Sequence, residues 1–128
     1  YASREALFAT SDIVTVHLVL SDRTRGLIGA TEFQTMKPTA YLVNTSRGPI
    51  IQESALVSAL QSGSIAGAGL DVYDTEPLPQ NHPLRDLDNA VLTGHTGYVM
   101  RENYVTGYRG VVEDVSAWLN GEPVRLLN

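Results

Sequence analysis

The stretch AYLVNTSRGPIIQESALVSALQSGSIAGAGLDVY, Ala40–Tyr73, decides the fold. It opens on a short apolar run, Ala40–Asn44, that suits a strand. A turn-rich segment follows, and then Glu53–Ser62, with apolar residues at 55, 56, 57, 59 and 60, predicts a helix closed by Gly63. Ile65–Tyr73 is a further strand, in which two glycines permit close backbone approach. Strand, helix and strand with short connectors predict a right-handed βαβ unit and a parallel sheet, an α/β fold.

The same rhythm extends outward. Upstream, Ser11–Leu20 (SDIVTVHLVL) is a near-continuous apolar run behind a polar pair, the pattern of a strand covered on both faces. Short helices are predicted at Ser3–Thr10 and at Thr31–Met36, the second stopped by Lys37–Pro38. Downstream, Ala90–Thr93 is a fourth strand that ends at Gly94. Between the last two strands lies Asp74–Asn89, a proline-bearing connector long enough to suggest a functional loop. A final helix is predicted from about Arg101 to Asn120, with Tyr104, Val105, Tyr108, Val111, Val112, Val115, Trp118 and Leu119 at three- and four-residue steps.

Composition narrows the function. The chain has 128 residues, 43% of them hydrophobic, which is one domain's worth of sequence with material for a core. No apolar run approaches the ~20 residues of a membrane helix, so no membrane partner is expected. The net charge is −5 and no Lys/Arg cluster stands out, so no nucleic-acid partner is expected. The absence of cysteine excludes disulfides, thiolate zinc sites and a cysteine nucleophile, and suits a cytoplasmic protein. Because the first residue is Tyr1, the chain reads as starting inside a larger protein.

Ligands of open parallel sheets bind beyond the carboxyl ends of the strands. Three such ends are rich in polar residues: Asn44–Pro49 with Arg47, Asp71–Pro77 with Asp71 and Glu76, and Gly94–Gly97 with His95. A guanidinium clamps a carboxylate bidentately. An imidazole gives a proton to a carbonyl oxygen and takes it back, and a neighbouring carboxylate fixes its tautomer. Together the three fit reversible reduction of a 2-keto acid. Taken singly, each has a structural alternative: Arg47 as a loop arginine on backbone carbonyls, Glu76 as a solvated acid, His95 as a structural histidine. His17 reads as a core or cofactor-edge residue, His82 as exposed, and Asp71 as a strand-end acid whose burial would demand a partner. The dinucleotide fingerprint G-x-G-x-x-G does not occur; Gly67 and Gly69 have its first spacing but lie within a strand.

Across essentially its whole length the chain resembles the D-isomer-specific 2-hydroxyacid dehydrogenases. The matching stretches are Leu42–Pro49 (LVNTSRGP), Ala68–Tyr73 (AGLDVY) with Glu76-Pro77, and Thr93–Gly97 (TGHTG). Val16–Leu20, Thr24–Ile28 and Met36–Pro38 support them. The resemblance implies the second half of a Rossmann-type doubly wound parallel sheet, plus a C-terminal helix returning to a substrate domain. Residues 1–100 would be the C-terminal half of the dinucleotide-binding domain, and residues 101–128 the crossover helix and tail of the substrate domain. It implies Arg47 on the substrate carboxylate, His95 as proton donor and acceptor, and Glu76 as its supporting acid. Asp71 would hold the nicotinamide carboxamide, Thr45, Ser46 and Gly97 would flank the nicotinamide, and Leu18, Val19 and Thr24 would line the adenosine-to-ribose side.

The cofactor implied is NAD or NADP, the substrate a small 2-keto or 2-hydroxy acid, and the assembly a homodimer of the full-length protein. The glycine fingerprint would lie upstream of Tyr1, so this chain alone is expected to bind NAD weakly, to be inactive and to expose an apolar strand edge. A pocket lined by Leu18 and Ile50 would keep water from the nicotinamide. Three positions depart from the family pattern: Gly94 and Val19 where proline is usual, and Gln52 where an Asp or Asn helix cap is common. A second reading is an NAD-sensing, corepressor-type interaction module on the same fold. A formate dehydrogenase is a third, weakened because Glu76 stands where that branch prefers glutamine.

Overall fold

A computed structural model describes residues 2–127. Two compact units divide after His95. The first runs α1 (Arg4–Thr10), β1 (Ile13–Val16), α2 (Ala30–Thr35), β2 (Tyr41–Asn44), α3 (Glu53–Ser62), β3 (Gly67–Leu70) and β4 (Ala90–Leu92), with 3-10 turns at Gly48–Ile50 and Pro83–Asp86. The second is built on α4 (Arg101–Leu119).

The four strands form one sheet, parallel as the alternating pattern predicts, and their order is β1-β2-β3-β4. The register pairs Val16 with Asn44, Asn44 with Leu70, and Leu70 with Leu92, so the carboxyl ends lie side by side. The ladder continues past the named strands: the Asp71 amide donates to the Asn44 carbonyl, and the Thr93 amide to the Leu70 carbonyl. Those two bonds set Asp71 and Thr93 beside each other.

The helices begin and end for local reasons. Ser3 caps α1, its hydroxyl accepting the Ala6 amide at 3.1 Å. The span of α3 is the predicted one, because Gly63 takes the left-handed conformation (φ 71°) that turns the chain out of the helix. Its start has no side-chain cap; Gln52 instead donates across to the Gly26 carbonyl at 3.0 Å. Phe8 of α1, Phe33 of α2 and Leu56, Ala59 and Leu60 of α3 join Val14, Val16, Leu42, Ala68 and Leu70 in one core. Leu42, Ile50, Ile65 and Leu84 are fully buried, each contributing about 2 kcal/mol by removal from water.

Three expectations about strands and core need correction, the first being that the strand predicted over Ile65–Tyr73 is only Gly67–Leu70. The strand predicted over Ser11–Leu20 is only Ile13–Val16, and it is not covered on both faces. Val14 and Val16 point into the core, while Ile13 is 65% exposed, and Tyr41 and Val91 on the same face are 52% and 70% exposed. Helices α1 to α3 all pack on the other face, and Leu18–Leu20 leave the sheet. Ile50, expected in a nicotinamide pocket, has no exposed surface and belongs to the core. The amphipathic pattern of α4 is present in the sequence, but none of its residues is buried.

Candidate active site

The turn after β2 is held by one side chain. Asn44 is 1% exposed, and its amide is used at both ends: Oδ1 accepts the Ser46 amide at 3.0 Å, and Nδ2 donates to the Arg47 carbonyl at 3.0 Å. A buried amide left without partners would cost about 1–3 kcal/mol, so this pairing fixes the turn. The Ser46 hydroxyl donates to the Leu18 carbonyl at 2.5 Å and ties the turn to the segment after β1. Thr24 ties that segment again, donating to the Val19 carbonyl at 2.7 Å. Between them lies a cleft of about 300 Å³ lined by His17, Leu18, Val19, Leu20, Ser46 and Arg47. His17, read as core or cofactor-edge, is therefore at the cleft, exposed and hydrogen-bonded to Thr15 at 2.9 Å.

The turn after β3 is held by two hydroxyls and a backbone amide. Asp71 is buried, and the Thr93 hydroxyl donates to its Oδ1 at 2.5 Å, the partner that its burial demands. The Tyr73 hydroxyl lies 3.0 Å from the Leu70 carbonyl and 2.8 Å from that of Thr93, binding the ends of β3 and β4 together. Burial, with the Asp71 charge beside it, pushes the Tyr73 phenol above its ordinary range. The Tyr73 amide donates to Glu76 Oε1 at 3.0 Å. The other carboxylate oxygen, Oε2, lies 2.7 Å from His95 Nδ1.

Glu76 and His95 thus form a pair from two different strand ends. Both side chains are a little over a third exposed, so solvent reaches the pair. The hydrogen bond from His95 first, and then that from the Tyr73 amide, hold the Glu76 carboxyl below its ordinary range; the charges of His95 and Arg47 act in the same direction. Since a carboxylate accepts, Nδ1 carries the proton, which fixes the tautomer. His95 itself has φ 56°, a left-handed conformation few side chains adopt, and Gly94 precedes it. Such strain persists where surrounding contacts over-determine it.

Arg47 is exposed, and its guanidinium donates to the Ser46 carbonyl at 2.6 Å. It is near enough for its charge to act on Glu76. Leu18, Val19, Ser46 and Arg47 share the cleft, with Thr24 bracing its wall. Thr45 is exposed in the braced turn, and Gly97 lies in the second unit.

Two features escaped the sequence. Gly48 lets the Arg47 turn press onto the Glu76 loop: a Cβ there would fall 2.1 Å from the Tyr73 carbonyl carbon. His82, expected to be exposed, is instead partly buried against Glu53, with Nε2 and Oε1 2.9 Å apart. The histidine–proline pair and the glycine after arginine were the available signals, but their partners lie 29 and 25 residues along the chain.

Comparison with known proteins gives this arrangement a family. The family model of the D-isomer specific 2-hydroxyacid dehydrogenase NAD binding domain matches residues 1–97. A glyoxylate reductase of Aeropyrum pernix is 46% identical over 129 aligned positions, covering 100% of this chain and 38% of that protein. The chain thus spans about two-fifths of the length of the curated relatives it matches most strongly. The crystal structure of a D-isomer specific 2-hydroxyacid dehydrogenase from Xanthobacter autotrophicus superposes with a TM-score of 0.82 at 39% identity, over 98% of this chain and 42% of that one. That of Lactobacillus delbrueckii, in its NAD-complexed form, gives 0.84 at 28% identity, over 100% and 43%. With the parallel sheet and the polar strand ends already described, these matches establish that the chain belongs to the D-isomer specific 2-hydroxyacid dehydrogenase NAD-binding domain family.

Proposed function

We propose that this chain carries the proton-transfer and nicotinamide-side groups of an NAD(P)-dependent oxidoreductase that interconverts a small 2-keto acid and its D-2-hydroxy acid. The observation that carries the reading is the 2.7 Å contact between Glu76 and His95 Nδ1. With Nδ1 committed to the carboxylate, proton exchange with substrate falls to Nε2, which gives a proton to the carbonyl oxygen during reduction and takes it back during oxidation. Glu76 holds the ring by its Nδ1 proton and so fixes its tautomer and orientation. Arg47, on its braced turn, binds the substrate carboxylate as a fork and polarises the neighbouring carbonyl.

The residues present fit a nicotinamide. The cleft offers Ser46 on the nicotinamide side, with Thr45 beside it in the turn, and the apolar Leu18 and Val19 toward the ribose, and the Asp71 carboxylate is an acceptor suited to a carboxamide. When bound, the cofactor supplies or receives the hydride; the chain's own side chains handle the proton and the carboxylate. Gly97 is assigned to the cofactor, in the turn just after His95, by family resemblance. The same reading carries a homodimeric, cytoplasmic full-length protein in which residues 1–100 belong to the nucleotide-binding domain and α4 crosses to the substrate domain. The exposure of Val112, Val115 and Trp118 on α4 supports that last assignment.

The test is His95→Gln in the full-length protein, assayed by NADH and NADPH oxidation against a panel of 2-keto acids. Turnover falls at least ~100-fold, the scale of a lost general acid. Turnover within a few fold of wild type removes His95 from the reaction.

A further inference from the structure

We propose that Glu53 is a positioning residue for the Glu76–His95 pair: through His82 and the Asp74 amide it fastens the segment that presents Glu76 at both ends. The proposal rests on the reading of the pair given above.

Glu53 is the first residue of α3, the helix that follows the Arg47 turn. Its Oε1 lies 2.9 Å from His82 Nε2, and its Oε2 accepts the Asp74 amide at 3.4 Å. The histidine is held from its other side too, because Nδ1 accepts the Leu84 amide at 3.3 Å and so caps the 3-10 turn Pro83–Asp86. An Nδ1 that accepts leaves the proton on Nε2, which therefore donates to Glu53. Both side chains are mostly shielded, 15% exposed for His82 and 25% for Glu53, so this is not a solvated surface pair.

Glu76 lies between the two anchors, at Asp74 and His82. Within the loop, the Arg85 guanidinium donates to the Leu78 and Pro79 carbonyls at 2.7 and 2.8 Å and stiffens the segment that the anchors hold. The Glu76 carboxylate uses both oxygens, one for the Tyr73 amide and one for His95. A loop displacement of about 1 Å would forfeit one of these bonds, and misplacements of that size can cost ~100-fold in rate. The charged and titratable groups that bear on the two carboxylates are His82, Asp74 and, through Asp74, Arg25 around Glu53, and His95, Arg47 and Tyr73 around Glu76.

The experiment compares Glu53→Ala, Glu53→Gln, His82→Gln and His82→Asn in the full-length protein. In Glu53→Ala, kcat with a 2-keto acid falls about tenfold or more while KM stays within about twofold, because the Arg47 turn is braced separately by Asn44. The Glu76 carboxyl, followed by side-chain carbon NMR across pH, titrates higher than in wild type, closer to an ordinary glutamate. Glu53→Gln keeps the bulk and one acceptor, so it folds and shows the same changes at smaller size. His82→Gln, whose amide still reaches Glu53, retains more activity than His82→Asn, which keeps only the acceptor for Leu84. An unmoved Glu76 titration and unchanged kcat in the glutamine and alanine variants, with melting temperature alone reduced, overturn the proposal. If Glu76 shifts but the wild-type protein turns over no 2-keto acid, the positioning role stands and the assigned reaction falls.

Discussion

Glu76 couples the fold to pH through a single carboxyl. Its titration is depressed, first by the hydrogen bond from His95 and then by that from the Tyr73 amide. A depressed carboxyl stabilises the folded state above its unfolded value of 4.5, and that contribution is lost as the pH falls through the lower folded value. Glu76→Gln therefore lowers the denaturation midpoint near neutral pH, and the gap to wild type closes as the pH drops below the ordinary glutamate range. The effect is small, because the side chain is 36% exposed and water screens the pair. Urea melts of both proteins between pH 3 and pH 7 measure it; a gap that widens on acidification contradicts the assigned sign. At this scale the sequence was partly legible. The residue types Arg47, Glu76 and His95 marked three strand ends, since few side chains do that chemistry. The Tyr73 amide and the Thr93 hydroxyl were not, because a backbone donor leaves no mark in a sequence and Thr93 reads as an ordinary strand residue.

Two loops, rather than two residues, set the distance between the Arg47 turn and the Glu76 loop. They meet at Gly48, where an added Cβ would lie 2.1 and 2.2 Å from the Tyr73 carbonyl carbon and oxygen and 2.6 Å from the Asp74 nitrogen. All three are backbone atoms, which cannot rotate aside. Gly48→Ala therefore forces the loops apart, at a cost of about 2 kcal/mol or more, the upper part of the overpacking range. Gly69→Ala is the comparison: its Cβ would meet only Val43 Cγ2 at 3.9 Å, so it stays within about 0.5 kcal/mol of wild type. Thermal melts of the two variants decide this; equal stability would mean that the loops are not in contact as described. Element boundaries were legible where local chemistry sets them. The bounds of α3 follow from apolar spacing and Gly63. Those of β1 do not, because Leu18, Val19 and Leu20 have strand composition, while the bonds from Ser46 and Thr24 bend the chain away from the sheet. An apolar run carries no record of such tertiary tethers.

At the scale of the whole chain, the proposed function assigns it one half of what a dinucleotide site requires. Cofactor affinity in doubly wound folds leans on a pyrophosphate cradled by a glycine-rich turn at a helix N-terminus, where aligned amides meet the charge. This chain contains no G-x-G-x-x-G sequence, and its cleft is lined by Ser46 and Arg47, assigned to the nicotinamide and the substrate, and by Leu18 and Val19, assigned to the adenosine-to-ribose side. The exposed face of the sheet, with Ile13, Tyr41 and Val91, and the unburied α4 fit a body whose apolar surfaces are meant to be covered. The overall fold was legible because strand–helix alternation is encoded locally; the uncovered faces were not, because a sequence pattern states which side is apolar and not what packs on it. The energetic consequence is direct. Without phosphate contacts, the nicotinamide and ribose must bind on apolar contact and one or two hydrogen bonds, which places the dissociation constant near the millimolar range, about 4 kcal/mol of binding free energy. Calorimetric titration of the 128-residue chain with NADH measures it, alongside nicotinamide mononucleotide, which lacks the pyrophosphate and the adenosine. The two ligands bind with affinities within a few fold of each other, since neither finds a pyrophosphate cradle. Micromolar binding of NADH together with a large preference over the mononucleotide would place a phosphate site on this chain and contradict the division of labour assigned to it.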